Sequence, residues 1–284
     1  MKLGLVLEGG AHRTIFSCGV MDAMLDAGIQ ADYVIGASAG ITYGISYLSG
    51  QKERNREMLS RFVRDPKYMG ISHLLDPFNR SYYNLKYVFD TIPNKLLPFD
   101  YDAFRQFKGT ALAAVTNMQM GRAEYLPVTP DDPQWKVLQA TCALPLLFKP
   151  IIIDGVKYAD GGIADSIPYA KALADGCDKV IIVLTRERSY RKGVEKAMNY
   201  AVRKYRRNYP GYSELLRTRH ERYNDCIDEI NRLEAAGRVY VIAPEDTLGV
   251  GRTEKDTDKL LSLYAQGYAV TMQQRPALQA YIRS

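Results

Sequence analysis

Histidine and cysteine are scarce in this chain, with three and four copies in 284 residues. Cys18, Cys142, Cys177 and Cys226 are widely separated and contain no Cys-x-x-Cys pair. That spacing argues against a disulfide framework and against a zinc site, and leaves buried thiols as the expectation. Proline-rich, serine-rich and repetitive stretches are absent as well. Nothing therefore divides the chain, and one large domain is expected, with 46% hydrophobic residues to build its core. Long apolar runs are missing too. Leu3-Gly4-Leu5-Val6-Leu7 is far too short for a membrane span and lacks the small-residue cleavage site of a secretory signal, so a cytoplasmic location is expected.

Charge is unevenly spread. The net charge is +6, yet Arg186 to Arg222 alone holds twelve Lys or Arg against four Glu, leaving the remainder slightly acidic. Tyr190, Tyr200, Tyr205, Tyr209 and Tyr212 interleave with these cations. Such a run is ordinarily a solvated helical face; the alternative is a surface for nucleic acid or an anionic membrane.

The most informative stretch is Tyr33-Val34-Ile35-Gly36-Ala37-Ser38-Ala39-Gly40. A β-branched and aromatic run stops at a serine held between small residues, and Ile41 to Leu48 continues as a helix until Ser49-Gly50. Gly-x-Ser-x-Gly between strand and helix forces a turn so sharp that only small flanking residues fit, and it thrusts the hydroxyl outward. Ser38 is accordingly read as a nucleophile.

Upstream, Lys2 to Glu8 reads as a buried strand ending at Gly9-Gly10, and Thr14 to about Ala27 as a helix with Asp22 and Asp26 on the face away from Phe16, Val20 and Met24. Downstream, Gln51 to Arg64 is a charged helix. Pro66 to Asp102 is aromatic and proline-punctuated without a sustained period, which suits either a lid or acyl-binding wall, or an irregular flap on the core. Strands follow at 110–116 and 123–126, then a helix from Pro133 to Cys142. Ile151-Ile152-Ile153 and Val156-Lys157-Tyr158 flank Asp154-Gly155, a two-residue hairpin signal. A helix at 167–175 and a strand at 179–184 restore the alternation. Residues 193–236 read as two helices broken at Tyr209-Pro210-Gly211, with a last strand at 238–243 and a closing helix from Thr257 to about Leu278. This rhythm predicts an α/β fold: a mainly parallel central sheet sandwiched by helices, with a helical C-terminal portion. The motifs occupy about residues 3–185, and 186–284 adds the basic helices, the last strand and the closing helix.

A serine nucleophile needs a base, usually a histidine held by a carboxylate. Of His12, His73 and His220, only His220 comes late enough for a hydrolase triad, and it sits in the charged run Arg217-Thr218-Arg219-His220-Glu221-Arg222. A triad is therefore disfavoured. Asp160, at a strand end before Gly161-Gly162, is the better base. Gly9-Gly10-Ala11-His12-Arg13 follows the first strand and opens a helix, so its N–H groups suit an oxyanion. Gly-x-Gly-x-x-Gly is absent there, which excludes the dinucleotide reading.

Three segments in order, Glu8 to Arg13, Gly36 to Gly40 and Asp160-Gly161-Gly162, resemble the signatures of the patatin-like phospholipase family. Ala140-Thr141-Cys142-Ala143-Leu144-Pro145 with Phe148-Lys149-Pro150 is similar to the stretch that precedes the family's aspartate. The resemblance implies a patatin-like fold and a Ser38–Asp160 dyad that hydrolyses lipid acyl esters through an acyl-enzyme. It also implies an oxyanion hole around Gly9, Gly10 and Ala11 supported by Arg13, with no metal and no cofactor. The expected partners are a lipid or other acyl-ester substrate and, peripherally, an anionic membrane; nucleic acid is not expected. A non-catalytic binding protein that uses its basic helices is the alternative. Ala11 and Thr14 stand where the family commonly has glycine, which restricts that loop. His12 is read as a solvent-facing loop residue or as a contact for a phosphate or other headgroup, and Arg13 alternatively as a surface arginine.

Overall fold

The computed structural model describes residues 1–132 and 134–284. Eight strands form one sheet: β1 (Leu3–Leu7), β2 (Tyr33–Ala37), β3 (Thr110–Asn117), β4 (Arg122–Pro127), β5 (Ile151–Ile153), β6 (Val156–Asp160), β7 (Lys179–Val183) and β8 (Val239–Ile242). Helices α1 (Ile15–Asp26), α2 (Ala39–Leu48), α3 (Arg54–Phe62), α4 (Ile71–Leu75), α5 (Tyr101–Gln106) and α6 (Lys136–Thr141) belong to the first half. Then come α7 (Gly161–Ala164), α8 (Tyr169–Ala174), α9 (Lys196–Tyr205), α10 (Pro210–Arg217), α11 (Arg219–Ala235) and α12 (Thr257–Arg283).

The sheet runs β5-β6-β3-β2-β1-β7-β8, with β4 on the other edge of β3. The pairs β1 with β2, β1 with β7, β2 with β3 and β7 with β8 are parallel; β4 and β6 run antiparallel to β3. The mostly parallel α/β sheet matches the sequence expectation. Its central strands are buried throughout, as parallel strands covered by helices on both faces must be. The hairpin turn between β5 and β6 has both central residues at positive φ, Asp154 at 49° and Gly155 at 79°, the geometry that a two-residue hairpin demands.

Several boundaries differ from the expectations, each for a local reason. Helix α1 is not amphipathic: Ile15 to Met24 are all buried, Asp22 included. The opposite face is covered by α12, and a Cβ at Gly19 would stand 2.1 Å from the Tyr264 carbonyl oxygen, so the two helix backbones touch. Asp22 is satisfied there by the Tyr264 hydroxyl at 2.7 Å and the Glu53 N–H at 3.0 Å. The charged helix is shorter than Gln51 to Arg64, because Glu53 adopts a left-handed conformation just before α3. The helix expected from Pro133 starts at Lys136, and Pro133 itself lies outside the described residues. Residues 193–236 hold three helices rather than two, since α10 and α11 part at Thr218, which no glycine or proline marks. Helix α12 continues past Leu278 to Arg283 through Pro276. Within Pro66 to Asp102 the chain forms α4 and a π-helical stretch, Tyr87–Leu96, at whose Pro93 the missing N–H suits the wider turn. Among the described residues no helix is long and apolar enough to cross a membrane.

Candidate active site

The site is made where two strands meet on one edge of β3. Strand β2 climbs that edge and stops with Ala37 opposite Ala114; β6 descends on it and stops with Asp160 opposite Val115. Of the residues that follow these stops, Ser38 is the N-cap of α2 and Gly161 is the first residue of α7. Ala37 and Asp160 are thereby carried to consecutive register positions of β3, and Ser38, 122 positions before Asp160 in sequence, follows directly on the first of them. They lie at the carboxyl ends of the parallel strands, the usual place for ligands in such sheets.

Ser38 sits at φ 53°, ψ −132°, a strained backbone for a residue with a Cβ, as a nucleophile elbow requires. Its N–H donates to Thr141 Oγ1 at 2.7 Å, and that hydroxyl donates in turn to the Ala114 carbonyl at 2.6 Å. Thr42 Oγ1 donates to the Ser38 carbonyl at 3.0 Å. The elbow is strapped to β3 and to the first turn of α2, and the side chain is left free to face the cavity.

Asp160 is buried. Its N–H donates to the Ala143 carbonyl at 2.9 Å, and its carbonyl accepts from Thr116 Oγ1 at 2.7 Å. Oδ1 accepts the Gly162 N–H at 2.8 Å, whereas the buried Oδ2 has no hydrogen-bond partner; Asp160 and Ser38 line the same cavity. Burial raises the carboxyl pKa, while Arg219, the Ser38 hydroxyl, the Gly162 N–H and Arg252 act against it. The result is a carboxylate more basic than a solvated one.

The loop after β1 passes directly over Ser38. A Cβ at Gly9 would stand 2.9 Å from the Ala37 carbonyl oxygen and 3.1 Å from Ser38 Cβ, so only glycine permits this approach. The N–H groups of Gly9 and Gly10 donate to no backbone or side-chain acceptor among the described residues. Ala11 occupies the left-handed region at φ 50°, the conformation that glycine adopts without cost. His12 is buried rather than solvent-facing. Its Nδ1 lies 2.7 Å from the Glu254 carbonyl, which only accepts; Nδ1 therefore carries the proton, and Nε2 accepts from the Tyr83 hydroxyl at 3.1 Å. Burial lowers His12 to about 4, so the ring is neutral near pH 7 and serves as a brace for the loop. Arg13 is buried too, not a surface residue, and its Nε has no hydrogen-bond partner. Burial, then Arg186, lowers it to about 10, which leaves it charged near neutrality.

Two cavities are lined by Ser38, and both are also bounded by Ala11 and Leu144. The first encloses about 950 Å³, mouth included, between α2, α3 and the 66–102 segment, and is lined mainly by apolar and aromatic groups such as Met58, Phe89, Ile92 and Trp135. The 66–102 segment is thus a wall of this cavity. The Cys142 thiol lines it as well, but burial pushes it up to about 12, so it offers no competing thiolate. The second cavity, about 510 Å³, holds Asp160 and five cations: Arg13, Arg186, Lys192, Arg219 and Arg252.

The basic run is therefore not simply a solvated face. Arg219 Nε donates to the Gly162 carbonyl at 2.8 Å, and Arg222 donates to the carbonyls of Ile163 and Ala164, each at 2.7 Å. Sequence reasoning missed Arg219, Arg222, Lys192 and Arg252 as site residues; the first three carried one signal, membership of the basic run, and Arg252 carried none. His220 lies away from Ser38, its Nε2 3.8 Å from Glu221, and lines neither of these two cavities. Among the described residues no three His, Cys, Asp or Glu side chains gather to hold a metal ion.

Comparison with known proteins bears on the family. The sequence model described as patatin-like phospholipase matches residues 5–173, and a second, described as a domain of unknown function (DUF6363), matches residues 209–283. The chain is 25% identical over 197 residues to "Uncharacterized protein YjjU" of Escherichia coli (strain K12), covering 65% of this chain and 52% of that protein. It is 29% identical over 201 residues to "Lysophospholipase NTE1" of Mycosarcoma maydis, covering 64% of this chain and 10% of that protein. It thus spans about half of the first relative and a tenth of the second. A crystal structure of VipD from Legionella pneumophila aligns with a TM-score of 0.47 at 16% identity, covering 97% of this chain and 67% of that one. With the family's sequence model spanning more than half of its length, the chain belongs to the patatin-like phospholipase family.

Proposed function

We propose that this protein hydrolyses fatty acyl esters of lipids with Ser38 as nucleophile and Asp160 as the only general base. The observation that carries the reading is the meeting of β2 and β6 on β3, which brings Ser38 beside a buried carboxylate whose Oδ2 is unengaged. Ser38 Oγ attacks the ester carbonyl while Oδ2 accepts its proton. The N–H groups of Gly9, Gly10 and Ala11 receive the negative charge that develops on the carbonyl oxygen, and Arg13 adds positive charge behind them. Asp160 returns the proton to the alcohol oxygen, the alcohol leaves, and an ester of Ser38 remains. Asp160 then takes a proton from water, whose oxygen attacks that ester, and passes it to Ser38 Oγ as the C–Oγ bond breaks and the fatty acid is released. The apolar cavity accommodates the acyl chain. The fungal relative's name, a lysophospholipase, fits a substrate with one chain.

Peripheral contact with a lipid surface accompanies this reading. Ile71, Leu75 and Phe78 are 71%, 80% and 90% exposed, in the same segment whose Tyr68 and Tyr83 line the acyl cavity. Three large apolar side chains held in water next to a lipid-shaped cavity suit insertion among acyl chains.

The test is hydrolysis of p-nitrophenyl esters from short to long chains by the purified protein, with Ser38→Ala and Asp160→Asn alongside. Activity that both substitutions abolish and that favours longer chains is expected. Activity that survives Ser38→Ala would sink the proposal.

A further inference from the structure

The second cavity is the place where the C-terminal third of the chain reaches the reacting groups. Arg13 comes from the loop after β1, Arg186 and Lys192 from the segment after β7, Arg219 from the start of α11 and Arg252 from the loop before α12. Among the described residues only two carboxylates line the same space. Glu8 is engaged, accepting from the Thr185 N–H at 2.5 Å and the Tyr223 hydroxyl at 2.8 Å, and the other is Asp160 itself.

Buried cations are normally paired, because a guanidinium stripped of water and given no acceptor is costly. Here the pairing is incomplete. Arg252 is held bidentately by Glu195 at 2.7 and 3.0 Å. Arg219 Nη1 is 3.7 Å from the same carboxylate and makes no hydrogen bond. Arg13, 8% exposed, has an unpartnered Nε, and so does Arg186. Lys192 has the face of the Tyr223 ring 4.5 Å away and no carboxylate within ion-pair distance among the described residues. Donor capacity exceeds acceptor capacity among the residues that line this cavity.

The shape of the excess narrows the ligand. Several guanidinium forks around one space match the tetrahedral oxygens of a phosphate and exceed what one carboxylate uses. A quaternary ammonium would need a free aromatic face, but the Tyr190 and Tyr223 rings are already covered by Arg186 and Lys192, each 4.5 Å from a ring centre.

We propose that this cavity is a phosphate subsite for the alcohol side of the substrate, so that the enzyme prefers acyl esters ending in an anionic phosphate monoester over neutral and choline-bearing ones. The proposal rests on the acyl-hydrolase reading for its catalytic half. Its binding half stands on the second cavity alone, and assigns a task to residues of the segment that matches the domain of unknown function, namely Arg219 and Arg252. Burial, then Arg219, draws the Lys192 ammonium down to about 7, with Arg252 acting the same way and Glu8 and Glu195 against them. A bound dianion would hold that proton in place.

Two measurements test it on the full chain. Calorimetry on Ser38→Ala compares inorganic phosphate, oleoyl glycerol phosphate, oleoyl glycerophosphocholine and monooleoyl glycerol. Steady-state kinetics on the wild type compares the three esters, with Arg186→Gln and Lys192→Gln as variants whose unfolding midpoints are checked. Expected is a preference of about tenfold or more for the phosphate monoester, in affinity and in kcat/KM, reduced several-fold in each variant mainly through KM. Equal handling of the three esters, with Ser38-dependent cleavage of p-nitrophenyl esters intact, would overturn the subsite and leave the hydrolase reading standing. Inorganic phosphate binding that gains nothing from the acylated ligand would assign the site to a free anion and overturn the substrate preference. Preferential binding with no ester cleaved would support the subsite and remove the hydrolase reading.

Discussion

The Thr141 hydroxyl stands between the Ser38 N–H, from which it accepts at 2.7 Å, and the Ala114 carbonyl, to which it donates at 2.6 Å. One side chain thereby satisfies two buried backbone groups at the strained elbow. Thr141→Val keeps the shape and removes both bonds. A loss of about 2–4 kcal/mol of stability is expected by chemical denaturation, from leaving two buried polar groups unpaired. Thr141→Ser, which keeps the hydroxyl, should recover most of that stability together with the ester hydrolysis rate.

Asp160 sets function against stability. Its folded pKa is raised by burial, so its contribution is fully present below the unfolded value of about 3.9 and is lost as pH rises through the folded value. Asp160→Asn should therefore be inactive yet unfold at a higher temperature than the wild type at pH 7. The gap should close as the pH is lowered toward about 4. Scanning calorimetry across that range, paired with an activity assay, reads both effects. An Asn variant that is less stable at neutral pH and more stable in acid would contradict the sign.

His12 carries the opposite sign. Its folded pKa, about 4 against 6.5, is depressed by burial, so stability is present above 6.5 and lost as pH falls through about 4. The wild type should lose on the order of 3 kcal/mol over that window, and His12→Gln should flatten the slope while lowering stability at pH 7. Urea denaturation at several pH values measures both.

The acyl cavity makes a prediction about chain length. Ile45, on α2, lines it, and Ile45→Phe adds bulk to a space that is open rather than close-packed. Hydrolysis of long p-nitrophenyl esters should fall by about tenfold relative to short ones, moving the optimum to shorter chains. An unchanged profile would place the acyl chain elsewhere.

What was legible in the sequence was what is encoded locally. The Ser38 turn, the Asp154-Gly155 hairpin and the strand end at Asp160 each rest on a few consecutive residues whose backbone demands leave little choice. The register that sets Asp160 opposite Val115, one position beyond the Ala37–Ala114 pair, joins segments far apart in the chain, and no local pattern carries it. Most of the basic run is a solvated face as expected, but Arg186, Lys192, Arg219 and Arg222 were not separable from it, because cations look the same in sequence whether they face water or the protein interior. Asp22 was set on the face away from the apolar side chains and His12 was read as solvent-facing or as a headgroup contact, although tertiary partners satisfy both in the core.

Arg219 and Arg222, at the start of α11, hold the carbonyls of Gly162, Ile163 and Ala164, the three residues that follow Asp160 by one turn. The proposed base is thus scaffolded from beyond the stretch that matches the family's sequence model. A fragment trimmed to the shared motifs would retain every signature residue and yet lose the struts that aim one of them. Modularity at this site runs through space, across the seam between two homology units, and the seam is a poor place to cut or to splice.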